Sequence, residues 1–231
     1  MARPPIVHGG RATYGISPEL CRFLDAHLSP QSVTLETGTG LSTLVILRRG
    51  VAHHVSIVPY PAELEAVRAY CASVGIPTGA WQPVMASSLA WLPSATLPPL
   101  DLVLIDGAHA FPAPFVDWYY TAEALKVGGV VVVDDLQLVT ACILADFLRA
   151  DERWDEVGRD QRFAVYRKRV HPIGDERDWL AQAWVVNSNP VAAVRVIRAG
   201  ALRRTLSLAV RACVDPARAA RLLREQLRRR A

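Results

Sequence analysis

The sequence predicts an α/β protein: a doubly wound, mostly parallel seven-stranded sheet with an antiparallel edge strand, followed by a C-terminal helical extension. Three observations predict it. Short apolar runs alternate with helical patterns along residues 17–169. Runs such as Leu102–Ile105 and Val130–Val133 are apolar at every position, so both faces of their sheet need helices over them. The last two runs are separated only by Gly158-Arg159-Asp160-Gln161-Arg162, short enough for a hairpin and hence for an antiparallel partner.

The elements follow in order. Residues 1–16 are rich in Gly and Pro and read as an irregular N-terminal arm. Ser17-Pro18-Glu19 starts a helix running to about residue 28, with Ser as the cap and Pro in the first turn. Strands are expected at 32–35, 54–58, 82–85, 100–105 and 130–133, then at 154–157 and 163–166. Helices are expected near 41–49, 61–74, 112–126 and 137–150. After His171-Pro172 the character changes: 190–212 and 216–230 read as two Arg-rich helices broken at Asp215-Pro216. The division is an arm over 1–16, an α/β domain over 17–169 and a basic helical extension over 170–231.

Charge follows the same division. Residues 1–178 hold 15 Lys and Arg against 20 acids, whereas residues 179–231 hold 11 Arg against two acids. The net charge of +4 therefore belongs to the tail. The tail lacks regularly interleaved aromatics, which argues against nucleic acid as a partner. Its apolar Val191, Val194 and Ile197 can dock a helix on a neighbouring subunit, giving a homo-oligomer through these helices, but the pattern favours a packing helix with a solvated basic face. No apolar run approaches the roughly 18 residues of a transmembrane helix. Met1-Ala2-Arg3-Pro4-Pro5 lacks the apolar core of a signal peptide. Cys21, Cys71, Cys142 and Cys213 are scattered, without metal-binding spacing, as in a reduced, cytoplasmic protein.

Two segments carry chemistry. The first, Leu35-Glu36-Thr37-Gly38-Thr39-Gly40-Leu41-Ser42-Thr43, reads as a strand, a glycine turn and a helix start, which is where doubly wound sheets bind ligands. A dinucleotide site calls for a third glycine at position 43, which is Thr43. Glu36 would repel a pyrophosphate and suits a cofactor bearing an ammonium group. The second segment spans two strands that end in acids, Asp106 (with His109 three residues on) and Asp134-Asp135. Neighbouring strands lie about 4.8 Å apart, so the three carboxylates can converge. Clustered carboxylates repel unless a proton or a cation sits among them, and an all-oxygen set suits Mg²⁺.

Glu36-Thr37-Gly38-Thr39-Gly40 resembles the first motif of class I S-adenosylmethionine-dependent methyltransferases, and Leu125-Lys126-Val127-Gly128-Gly129-Val130 resembles the turn before their fifth strand. The Asp106/His109 and Asp134-Asp135 elements are similar to those of the metal-dependent small-molecule O-methyltransferases, including enzymes acting on macrolide sugars. The resemblance covers roughly residues 15–168 and implies a Rossmann-like domain. By it, Glu36, Thr37, Gly38, Thr39, Gly40 and Ser42 contact S-adenosylmethionine, together with Ser87, Asp106 and the residue at position 58. It also assigns Asp106, Asp134 and Asp135 to the metal, His109 to the general base, and a hydroxyl of a small molecule to the methyl acceptor. Chemically, a metal lowers the pKa of a bound hydroxyl and histidine takes its proton.

The chain departs from the pattern after the second strand, where family members carry the acid that holds the cofactor's ribose and this chain has Val58. Glu63 is the nearby acid that can substitute. Ser87 stands where an adenine-contacting Asp is common. Val58 and the basic tail together motivate a competing expectation, a non-catalytic or cofactor-impaired binding protein on the same fold. Tyr14, Phe111, Trp118, Tyr119 and Tyr120 are candidates to shape an acceptor pocket, against ordinary helix packing for the last three. Lys126 is an alternative base, before a turn that reads as solvent-facing.

Overall fold

The computed structural model describes residues 15–170, together with Trp184 and Val185. Tyr14, the expected Arg-rich helices and most of the N-terminal arm lie outside the described residues. The chain divides into two units, Met1–Glu176 and Arg177–Ala231, and the first holds the whole sheet.

Helix α1 (Pro18–His27) begins as its sequence requires. Ser17 Oγ accepts the Leu20 N–H at 3.1 Å, and Pro18 occupies a first-turn position that has no intrahelical N–H bond to lose. Then come β1 (Val33–Thr37), α2 (Leu41–Arg48), β2 (His53–Ile57), α3 (Pro61–Val74) and β3 (Trp81–Val84). A short α4 (Ser88–Trp91) runs into a 3₁₀ turn (Leu92–Ser94), a pair that the apolar pattern does not announce. The rest is β4 (Leu100–Ile105), α5 (Ala113–Ala122), β5 (Leu125–Val133), α6 (Val139–Ala150), β6 (Trp154–Arg159) and β7 (Ala164–Lys168). Strand β1 extends two residues beyond the expected end, so Glu36 and Thr37 belong to the strand rather than to the turn. Strand β5 starts five residues early, because Leu125 pairs with Leu100 before an irregularity re-registers the pair at Leu102 and Val130.

The seven strands run in the order β3-β2-β1-β4-β5-β7-β6. Strands β1 to β5 pair in parallel. The β6–β7 hairpin supplies the antiparallel edge: β7 inserts between β5 and β6, antiparallel to both. The winding reverses between β1 and β4, which places the ligand-binding crevice beyond the carboxyl ends of those strands.

Two apolar layers fix the sheet. Leu102, Leu104, Val130 and Val132 pack against Leu20 and Leu24 of α1 and Val45 and Ile46 of α2. Each such buried side chain contributes roughly 1.5–3 kcal/mol. Val103, Ile105, Val131 and Val133, equally buried, alternate to the opposite face. Trp118 of α5 meets Phe147 of α6 edge to face at 5.1 Å, so Trp118 is a packing residue. No helix among the described residues is long and apolar enough to cross a membrane.

Candidate active site

The parallel register brings the four strand ends level. Gly38 N–H donates to Ile57 O at 2.8 Å, Asp106 N–H to Thr37 O at 3.2 Å and Asp134 N–H to Ile105 O at 3.1 Å. The glycine turn after β1 therefore lies directly beside the acids that end β4 and β5. Gly38 has φ +105°, and a Cβ there would fall 2.5 Å from the Asp106 carbonyl oxygen. The residue is glycine because the turn lies on the end of β4.

Glu36 is fully buried on β1. Its carboxylate accepts from Ser42 Oγ at 2.5 Å, from Thr43 Oγ1, from Ser56 Oγ at 2.8 Å and from His54 Nε2, 3.0 Å away. Burial pushes the Glu36 carboxyl up, but His54 and the two hydroxyls of α2 outweigh it and hold the group below its ordinary range. The carboxylate thus faces the start of α2 and the neighbouring strand, where it holds the turn together. Thr43 Oγ1 also accepts the Gly40 N–H at 2.9 Å and lies 2.9 Å from Thr39 Oγ1. Thr37 is buried with its hydroxyl unpartnered. Ser87 occupies the N-cap position of α4, without a side-chain capping bond, at the exposed carboxyl end of β3.

Val58 is 2% exposed and packs with Leu44, Leu47, Leu64, Val67 and Trp81. Its side chain belongs to the core between the sheet and helices α2 and α3. Glu63 is likewise buried, in the first turn of α3. Tyr60, 61% exposed, marks the open end of β2.

At the ends of β4 and β5, donor atoms of Asp106, His109 and Asp135 all lie within 4.8 Å of one another. His109 Nε2 is 3.0 Å from Asp135 Oδ2. Asp135 Oδ1 accepts from Gln137 Nε2 at 2.7 Å and from Arg162 Nη2 at 3.1 Å. The His109 bond is the chief reason that Asp135 sits well below the usual carboxylate range. Asp106 goes the other way: burial first, then Asp134 and Asp135, push it well above its ordinary value. Asp134 is raised to about 6, mainly by burial. Asp134 does not join the donor group; it is 1% exposed, with Oδ1 unpartnered, because consecutive residues at a strand end project in different directions.

Three residues enter this region without being singled out by the sequence. Arg162, from the β6–β7 turn, supplies a cation to Asp135, and only strand order brings it there. His54 partners the buried Glu36 carboxylate; its signal is a polar residue in phase with Ser56 inside an apolar strand. Asp117 of α5 is fully buried with both oxygens unpartnered; burial raises it, opposed by Ser88, Thr37 and His109, which lie near enough to act on its charge. The other expectations separate. Tyr119 and Tyr120 are partly exposed and pack edge to face on each other, and Phe111 is 78% exposed in the loop after His109. Lys126 is ion-paired with Asp101 at 2.8 Å, at the opposite end of the sheet from His109.

Residues 35–136 match a family model described as a methyltransferase domain. A search of curated proteins gave no match. Among solved structures, cofactor-bound Rv0187 from MTB superposes with a TM-score of 0.58 at 22% identity, covering 68% of this chain and 83% of that one. The O-methyltransferase TomG from Streptomyces achromogenes, involved in tomaymycin synthesis and solved with SAM, gives 0.56 at 18% identity, over 68% and 82%. An O-methyltransferase from Bacillus cereus in complex with SAH gives 0.55 at 17%, over 68% and 84%. The chain therefore shares the class I methyltransferase fold of these structures, and its residues 35–136 are similar to a methyltransferase domain, as its two motifs lead one to expect.

Proposed function

We propose that this domain transfers the methyl group of S-adenosylmethionine to a hydroxyl of a small molecule, with His109 as general base and a divalent cation, Mg²⁺ by its oxygen donors, beside it. The observation that carries the reading is the convergence of Asp106, His109 and Asp135 next to the glycine turn. The residues fit both groups. The turn from Thr37 to Gly40 and Ser87 are left for the cofactor. Asp106 and Asp135 offer the oxygen ligands, with Asp134 buried behind them. When bound, the methyl donor supplies an electrophilic carbon and the cation lowers the pKa of the acceptor's hydroxyl.

The chain's own part is proton transfer and positioning. Ionised Asp135 can only accept, so in the neutral ring the proton sits on His109 Nε2 and the lone pair on Nδ1. Nδ1 is then the atom that takes the acceptor's proton. Thr140 Oγ1 donates to the His109 carbonyl at 2.5 Å and ties that loop to the start of α6. Holding both reactants in line supplies most of the acceleration in such a transfer. Cys21, Cys71 and Cys142 are free thiols, which supports a cytoplasmic setting. The division into an arm over 1–16, a catalytic domain over 17–169 and a basic extension over 170–231 belongs to the same proposal.

Calorimetry with S-adenosylhomocysteine tests the cofactor. Binding is expected, and its absence at millimolar ligand in a folded sample sinks the reading. EDTA is expected to stop turnover, and His109→Ala to abolish it without unfolding the protein. Full activity in EDTA removes the cation and leaves the methyltransferase. The burial of Val58 favours a second reading, a cofactor-impaired binding protein whose basic extension engages a partner; it predicts no cofactor affinity and a partner lost on deleting residues 190–231.

A further inference from the structure

We infer that His54 is a positioning residue for the cofactor turn, acting through Glu36; the inference rests on the cofactor reading above. The network is set by strand register. Parallel pairing puts Thr34 level with His54 and Glu36 level with Ser56, all four on one face of the sheet. Thr34 Oγ1 lies 2.8 Å from His54 Nδ1, which leaves Nε2 aimed at Glu36. Trp81 Nε1–H donates to Ser56 Oγ at 2.9 Å, so β3 closes the network on its far side. His54 and Glu36 are both fully buried.

All the bonds that leave this network toward the site end on one turn. Glu36 Oε2 accepts from Ser42 and Oε1 from Thr43, and Thr43 holds Gly40 N–H and Thr39. His54 keeps Glu36 ionised and pointing at α2, and Glu36 fixes the hydroxyls that shape Gly38–Gly40. A sheet core needs no buried polar pair to hold it together, since well-packed apolar residues of similar volume often replace one. What apolar residues cannot do is hold Ser42 and Thr43 in one orientation.

The test separates these roles with His54→Ala, His54→Gln and the paired variant Glu36→Leu/His54→Leu, using S-adenosylhomocysteine as the probe. His54→Ala and the paired variant are expected to lose roughly 10- to 100-fold in affinity, the range typical when a residue orienting direct ligands is removed. The paired variant takes these partners from the buried hydroxyls of Thr34, Ser42, Thr43 and Ser56 and is expected to melt lower, so its affinity is read on folded protein well below its melting temperature. His54→Gln, which retains a donor toward Glu36, is expected to recover most of the affinity. Independently of any ligand, amide hydrogen exchange across residues 38–43 is expected to quicken in His54→Ala, because the Gly40 N–H loses its fixed acceptor. Wild-type affinity and unchanged exchange in a folded His54→Ala or paired variant overturn the inference. So does a His54→Gln variant that folds as stably as the wild type yet binds no better than His54→Ala. Failure of the wild type to bind the probe instead sinks the cofactor reading, and the exchange experiment still decides the role of His54.

Discussion

Replacing Gly38 with alanine separates the tightness of the turn from its backbone conformation. The new Cβ would lie 2.5 Å from the Asp106 carbonyl oxygen and 3.3 Å from its carbon, both backbone atoms with no rotamer to yield. Two costs add. The φ of +105° is one that side chains other than glycine rarely adopt, worth about 1–2 kcal/mol. Pushing the turn off the end of β4 costs about 1–3 kcal/mol more, as overpacking does elsewhere. Each kcal/mol lowers the melting temperature of a domain this size by about 2–4 °C, so the sum of about 2–5 kcal/mol predicts a drop of roughly 4–20 °C. Gly50 is the control: φ is +66° and nothing lies within 4 Å, so Gly50→Ala should show only the conformational part. The displaced strand end carries Asp106, and a shift of about 1 Å at a reaction centre can cost on the order of 100-fold in rate. Scanning calorimetry and S-adenosylhomocysteine titration read the two effects. Equal melting losses at positions 38 and 50, with unchanged affinity in Gly38→Ala, would refute the claim that the turn is seated on Asp106.

Three further outcomes are expected. Asp117→Asn should raise the melting temperature at pH 8, because it removes a buried carboxyl whose pKa is raised mainly by burial. An acid whose folded pKa lies above its unfolded value costs stability once ionised, so the gain should shrink as pH falls and vanish below the ordinary range near 4; a gain independent of pH contradicts this. Arg162→Gln should tighten Mg²⁺ or Mn²⁺ binding measured by calorimetry, since a guanidinium 3.1 Å from Asp135 competes with any cation there, and weaker binding would show that it does not compete. Trp118→Ala should cost about 3–5 kcal/mol of stability, as large-to-small core changes do, while leaving the acceptor KM of folded protein unchanged; a raised KM would return Trp118 to the acceptor pocket.

Much of the fold was legible because its signals are local. Ser17-Pro18 caps a helix wherever it stands, and fully apolar runs imply a sheet covered on both faces. The glycine turn and the acids at the ends of β4 and β5 were found by their position after such runs. The short α4 was missed because four residues show no period. Trp118 is ambiguous between pocket and core in the sequence because an aromatic on a helix reads the same either way until its neighbours are known.

The sequence by itself determined the succession of strands and longer helices, the place of the glycine turn and the acids beside it. Tertiary structure alone decided which way those side chains face. Glu36 is 18 residues from His54, and only the β1–β2 register makes them partners. Asp134 and Asp135 are adjacent in sequence, yet only Asp135 reaches His109. Val58 turned inward to the α2–α3 core, and Arg162 arrived from a hairpin that inserts β7 beside β5. The physical reason is common to all four. Side-chain direction at a strand end depends on which strands pair and in what register, and that is fixed by crossovers that no local window contains.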